Sequence, residues 1–255
     1  MRVWAMFKKE MRLYFSSPIA YVVFAIFTLI AGWFFYNVFA FYALISMQAA
    51  MNPMAARDMS VSEGVVRPLF QNISVILLFL LPLLTMRLFS EEKKSGTIEL
   101  LLTYPVRDGE VLMGKYLAAL AVFAGMLTLT LVYPGLVAWA TQLEWGPLVT
   151  GYLGLLLQGA VFIGIGILIS SLTENQIVAG VASFGVLLLL WVVGWAAESA
   201  GGTLGRVLSH ISVTEHFDSF ARGVIDTKDV VYYLNLIILS LFLTLRSLES
   251  KRWRG

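Results

Sequence analysis

The sequence predicts an all-α integral membrane protein with six transmembrane helices. Two observations carry this. The 255-residue chain is 59% hydrophobic and only 13% charged, against roughly 25% charged in soluble domains. Six apolar runs, at about 18–44, 70–87, 111–140, 148–171, 177–197 and 229–246, hold almost no ionisable residue away from an end. Each approaches or exceeds the about 20 residues a spanning helix requires. The same composition excludes other classes. A net charge of +2 without a Lys/Arg-rich run argues against a nucleic-acid partner. The absence of cysteine excludes disulfides and thiolate metal sites.

Residues 1–17 form the first unit. At 100° per residue, Arg2, Lys8, Lys9 and Arg12 share one arc, and Val3, Trp4, Phe7, Met11, Tyr14 and Phe15 share the opposite one. This is the pattern of an elbow helix lying in the membrane interface. Trp4, Phe7, Lys8 and Arg12 are its expected interface contacts, and Ser16-Ser17-Pro18 breaks it. The first apolar run then outlasts a signal-peptide core of roughly 7–15 residues, so it reads as a retained span. The six-span unit covers 18–246, and 247–255 form a tail.

The connections differ in character. Residues 45–69 are polar, punctuated by Asn52-Pro53 and Arg67-Pro68. Residues 141–147 turn around Gly146-Pro147. Residues 198–228 carry apolar positions at Leu204, Val207, Leu208, Ile211, Phe217 and Phe220, which suggest one or two short interfacial helices. Trp191 and Trp195 fit an aromatic belt at the outer end of span five.

Lys and Arg set the orientation. Segment 1–17, the link after span two and the C-terminal tail together hold thirteen, and the opposite side holds five. Both termini and the 88–110 link are therefore expected in the cytoplasm of a multi-pass inner (plasma) membrane protein. That link is unusual. "MRLFSEEKKSGTIELLLTYP" combines Arg87, Glu91, Glu92, Lys93 and Lys94 with a second apolar patch at Ile98, Leu101 and Leu102. Ser90 reads as the cap of a short helix with Glu91 and Glu92 in its first turn. Gly96 permits a bend, Pro105 stops a second helical piece, and Asp108 caps the third span. The residues alone leave two readings open: a stiff surface that docks another protein, or a solvated turn whose leucines rest on the bilayer.

Candidate chemistry elsewhere is thin. Gly114-Lys115 has no upstream glycine at P-loop spacing and reads as a cytoplasmic anchor opening span three. His210 and His216, six apart, fall on opposite helix faces and read as interfacial polar residues, not as a metal site, even beside Glu215 and Asp218. Ser170, Ser171 and Ser209 have no base at a recognisable spacing, so no catalytic residue is assigned. Asn37, Gln158 and Asn235 read as bridges between helices. Gly159, Ala160, Gly164 and Gly166 give span four small faces, for packing within the subunit or against a second one.

One long stretch carries a family resemblance. "PLLTMRLFSEEKKSGTIELLLTYPVRDGEVLMGKYLAAL", residues 82–120, resembles the signature of ABC-2 type transporter permeases, and is especially similar to the gliding-motility and nitrous-oxide-reductase-maturation branch. "FARGVIDTKDVVYYL", residues 220–234, is a weaker second match. The resemblance implies an ABC-2, type V exporter-like permease fold, paired with a second permease subunit as a homo- or heterodimer. It implies that a separate ATPase dimer binds ATP and Mg, with no cofactor in this chain. It identifies the 88–110 link as a coupling helix and assigns the ATPase contact to Glu91, Glu92, Gly96, Thr97, Glu99 and Leu102. The elbow is expected beside that contact. A stand-alone secondary transporter or channel fits less well, because no ionisable residue sits mid-span to couple an ion gradient. An intramembrane enzyme lacks paired acids or a nucleophile–base pair. An ABC complex that couples ATP use to a membrane partner protein stays open.

Overall fold

A computed structural model describes residues 2–51, 60–97, 107–141 and 143–252. Among them every regular element is a helix: α1 (Arg2–Ser16), α2 (Pro18–Met51), a π-helical turn (Ser62–Val66) running into α3 (Arg67–Thr85), α4 (Arg87–Lys94), α5 (Asp108–Thr130), α6 (Val132–Ala140), α7 (Trp145–Leu172), α8 (Gln176–Ala200), α9 (Gly202–Ile211), α10 (Val213–Ala221) and α11 (Thr227–Arg252). Six stretches are long and apolar enough to cross a bilayer: Ala20–Gln48, Ser62–Lys94, Asp108–Trp139, Trp145–Leu172, Gln176–Ala197 and Thr227–Ser250. This is the six-span, all-helical architecture that the sequence predicts.

The helices run past several of the apolar runs. Arg67-Pro68 is not loop punctuation but the first turn of α3. Proline is tolerated there because that turn's N–H groups have no intrahelical acceptor. The third span breaks at Leu131, between α5 and α6. Pro134 explains it, since it has no N–H to donate to the carbonyl four residues back. The tail is helical as far as Arg252.

Span four, α7, is the hub of the bundle and packs against α3, α5, α8, α10 and α11. Its small residues make this possible. A Cβ on Gly159 would stand 2.1 Å from Phe123 of α5, one on Gly164 2.3 Å from Ser240 of α11, and one on Gly166 2.1 Å from Thr85 of α3. These small faces thus serve packing within the subunit. Gln158, fully buried in α7, bridges to Ser74 of α3: Ser74 donates to Oε1 (3.0 Å) and accepts from Nε2 (2.6 Å). Asn37 does not bridge helices; it donates to the Trp33 carbonyl of its own helix. Asn235 is exposed on α11.

At the end opposite α1, residues 198–228 form the two short helices α9 and α10. Ser212 caps α10 by accepting from the Glu215 N–H. Tyr233 of α11 donates to the Val213 carbonyl (3.0 Å), and Arg67 of α3 donates to Asp218 (2.6 Å), which also pairs with Arg222. His216 is a buried residue, not an interfacial one. Its Nδ1 lies 2.7 Å from Asp229 and its ring stacks on Tyr232. Among the described residues no cluster could hold a metal ion.

Candidate functional site: the elbow–link junction

The segment that most distinguishes the sequence, the charged link, meets the elbow at one end of the bundle. It starts with a break in the second span. Pro82 lies inside α3, and the helix interrupts at Met86 before resuming as α4. The interruption frees the first N–H groups of α4. Ser90 does not cap them, because it sits mid-helix and its hydroxyl donates back to the Met86 carbonyl. The cap comes from the end of α7. Ser170 accepts from the N–H groups of Phe89 and Ser90, both at 3.1 Å, and donates to the Met86 carbonyl at 2.9 Å. The favour is returned at the other end of α4, where buried Lys93 donates to the Ser171 carbonyl in the last turn of α7. A cation there suits the negative pole of that helix. The link helix is thus clamped to span four by a hydroxyl at one end and an ammonium at the other.

A buried ion cluster ties the same helix to the elbow. Lys115 of α5 is only 1% exposed. Its Nζ lies 2.8 Å from Glu10 of α1 and 3.0 Å from Glu92 of α4. Lys9 closes the set, 3.1 Å from Glu92 and 3.8 Å from Glu10. Two cations and two carboxylates from three elements therefore balance in charge. From sequence Lys115 reads as a cytoplasmic anchor; in the structure it is buried between the elbow and α4. The residue before it admits the elbow: a Cβ on Gly114 would stand 2.5 Å from the Met6 Cβ, so only glycine lets α1 approach α5 this closely.

One face of α1 is covered by the bundle, and that stripe has a polar centre. Val3, Met6, Phe7, Glu10 and Tyr14 turn inward. Tyr14 donates to the Leu84 carbonyl at 3.1 Å, and burial, with Glu10 nearby, pushes its hydroxyl pKa well above the usual value. Trp4, Lys8 and Arg12 are exposed. Trp4 stacks on Phe7 at 4.9 Å, and the Lys8 ammonium lies 5.4 Å from the centre of the Trp4 ring.

Of the residues assigned to an ATPase contact, Glu91, Gly96 and Thr97 are exposed at this end. Glu91 pairs with Arg87 at 3.0 Å. Glu92 departs from its expected outward role: its carboxylate is turned into the bundle, where Lys115 holds it. Gly96 adopts φ +70°, the left-handed region that glycine enters freely, and terminates α4 there. Thr97 donates to the Glu92 carbonyl and Ser95 to the Glu91 carbonyl, further fixing the helix end. Glu99 and Leu102, like Ile98 and Pro105, lie outside the described residues. The third span restarts with Arg107 as cap, whose N–H donates to Glu110; Asp108 is the first helical residue and not the cap.

No curated protein matches the sequence closely enough to serve as a relative. A family model described as "ABC-2 family transporter protein" matches residues 4–247, from the elbow through the sixth span, and the chain belongs to that family.

Proposed function

We propose that this chain, a multi-pass ABC transporter permease subunit by family, is driven by a separate cytoplasmic ATPase that docks on the elbow–link end. The observation that carries the reading is the double clamping of α4. A helix capped reciprocally by span four and ion-paired to the elbow and span three moves only by moving them. That is the requirement for a rigid element that couples two states of a bundle. Glu91, Gly96 and Thr97 supply the described part of the contact, with Glu99 and Leu102 extending it. Glu92 contributes by holding the helix in place. The partner binds ATP and Mg. The thirteen-to-five distribution of Lys and Arg supports a plasma-membrane protein with both termini and the link in the cytoplasm.

The working unit is a pair of permease subunits with an ATPase dimer. Export is the direction expected from the resemblance, which points to the gliding-motility and nitrous-oxide-reductase-maturation branch. The test is co-purification of the chain with its ATPase from a membrane extract. Glu91→Arg together with Gly96→Trp should abolish association while leaving the chain folded in detergent. Association that survives this pair of substitutions would place the contact elsewhere.

A further inference from the structure

A cavity of about 140 Å³ lies between the elbow, the first turns of α2, the end of α3 and α4. Cavities of that size hold a ligand as large as benzene. Its apolar wall is built by Leu13, Ala20, Val23, Leu83, Leu84 and Leu88, and its polar wall by Glu10, Arg87, Glu91, Glu92 and Lys115. Leu13 and Leu83 are exposed, so the apolar side opens outward at the level where the elbow meets span one.

The polar wall is incompletely satisfied. Glu92 gives Oε1 to Lys115 and Lys9, while its Oε2 is buried and finds no hydrogen-bond donor among the described residues. With Lys9, the three carboxylates of the lining meet three cations, so this wall lacks a hydrogen-bond donor and not a charge. A buried acceptor left empty costs about 1–3 kcal/mol, more when charged. Glu92 lines the cavity, so a small shift of its side chain would bring Oε2 within reach of a donor held there. At the opposite rim Arg87 gives Nε to Glu91 and, through a second nitrogen, a long 3.4 Å contact to Ser17. Its fork has five N–H donors, so some remain for an oxyanion.

We propose that this cavity binds the headgroup of a primary-amine phospholipid of the ethanolamine type. The ammonium meets Glu92, the phosphate meets Arg87, and the first methylenes of the chains lie on Leu13, Leu83, Leu84 and Leu88. The donor count gives selectivity. A primary ammonium brings three N–H donors to a carboxylate that lacks one. A quaternary choline brings charge but no donor. A glycerol headgroup brings hydroxyl donors but no positive charge, so only the ethanolamine headgroup supplies both. The proposal does not depend on which ATPase drives the chain, only on its residence in a membrane.

The test is native mass spectrometry of the full chain, released from mixed micelles holding equal amounts of phosphatidylethanolamine, phosphatidylcholine and phosphatidylglycerol. Retention of one ethanolamine lipid per chain, about tenfold over the other two, is the expected result. Glu92→Gln keeps a hydrogen bond toward Lys115 but should reduce the ethanolamine preference over choline to about one. Arg87→Gln should weaken retention of both. Ala20→Phe fills the cavity without touching a charge and should remove bound lipid, with Glu92→Gln serving if that variant does not fold. Equal retention of choline and ethanolamine lipids by the unaltered chain would overturn the proposal. So would retention unchanged in Glu92→Gln, or displacement of the lipid by an equal concentration of glycerophosphoethanolamine, which would point to a soluble ligand.

Discussion

Replacing Lys115 by methionine isolates the junction's central contact, because the two side chains have similar length and only one is charged. At an effective dielectric constant of about 20, contacts of 2.8 and 3.0 Å are each worth roughly 5–6 kcal/mol of attraction. Several kcal/mol of that is offset by the cost of holding the ammonium out of water. What remains is dominated by the carboxylates left behind. Glu10 is 5% exposed and Glu92 13%, so neither can be rehydrated cheaply. Lys9 is a poor substitute at 44% exposure and 3.8 Å from Glu10. The expected cost is about 3–5 kcal/mol, the usual range for removing one partner of a buried pair. For a chain of this length each kcal/mol lowers the melting temperature by about 2–4 °C. Lys115→Met should therefore lower it by roughly 6–20 °C, read by fluorescence-detected size exclusion after heating in detergent. The triple variant Lys115→Met, Glu10→Gln, Glu92→Gln removes the stranded charges and should recover most of the loss, since contacting residues are not additive. A single variant that melts within 2 °C of the unaltered chain would refute the buried cluster. So would a triple variant no more stable than the single.

The other expectations concern the clamp and the packing. Ser170→Ala leaves the Phe89 and Ser90 N–H groups without their acceptor and should cost about 1–3 kcal/mol. The same melting assay checks it, and Ser170→Thr, which keeps the hydroxyl, should cost less. Gly159→Ala forces a Cβ to within 2.1 Å of Phe123 and should destabilise by about 1–3 kcal/mol through overpacking. Gly185→Ala is the matched control: a Cβ there meets nothing within 4 Å, so melting should be unchanged or raised. Gly96→Val places a β-branched residue at φ +70°. It should cost at least about 1 kcal/mol, and, where the ATPase is bound, weaken co-purification more than it lowers the melting temperature.

The architecture was readable because bilayer physics writes itself in runs of about 20 apolar residues. The span count, the elbow and the pair of short helices after α8 follow from runs and periodicity alone. What escaped was decided by distance along the chain. Ser90 has the right local surroundings for a cap, yet the capping hydroxyl belongs to Ser170, 80 residues later, because the break falls at Met86 and sets the Phe89 and Ser90 N–H groups against the end of α7. Lys115 opens an apolar run and so resembles an anchor. Nothing local reveals that Glu10, 105 residues earlier, waits for it. A signal did exist. Glu10 is the single acid on the elbow, and it falls at helical spacing from Val3, Met6 and Tyr14, on what becomes the buried stripe. An acid at such a position demands a cation, and Gly114-Lys115 supplies one next to the residue that permits close approach. His216 was misplaced for the same reason, since its partner Asp229 lies on the next span.

The ion cluster also bears on how the junction works. Buried ion pairs are weak devices for stability: replacing a complete set by neutral groups of similar shape is often neutral or favourable. Their presence here fits another role, that of fixing register among three elements that have no covalent reason to move together. Lys115 meets Glu10 and Glu92 only if α1, α4 and α5 hold one relative position, whereas leucines would accept several. On the proposed reading this separates two properties that single mutants confound. The triple neutral variant should fold, bind its ATPase through Glu91, Gly96 and Thr97, and melt close to the unaltered chain. In proteoliposomes it should lose most of the link between permease and ATPase, seen as ATP turnover no longer altered by the presence of the permease. If turnover responds as it does to the unaltered chain, the cluster is only a packing element, and the Ser170–Lys93 clamp to span four carries the motion alone.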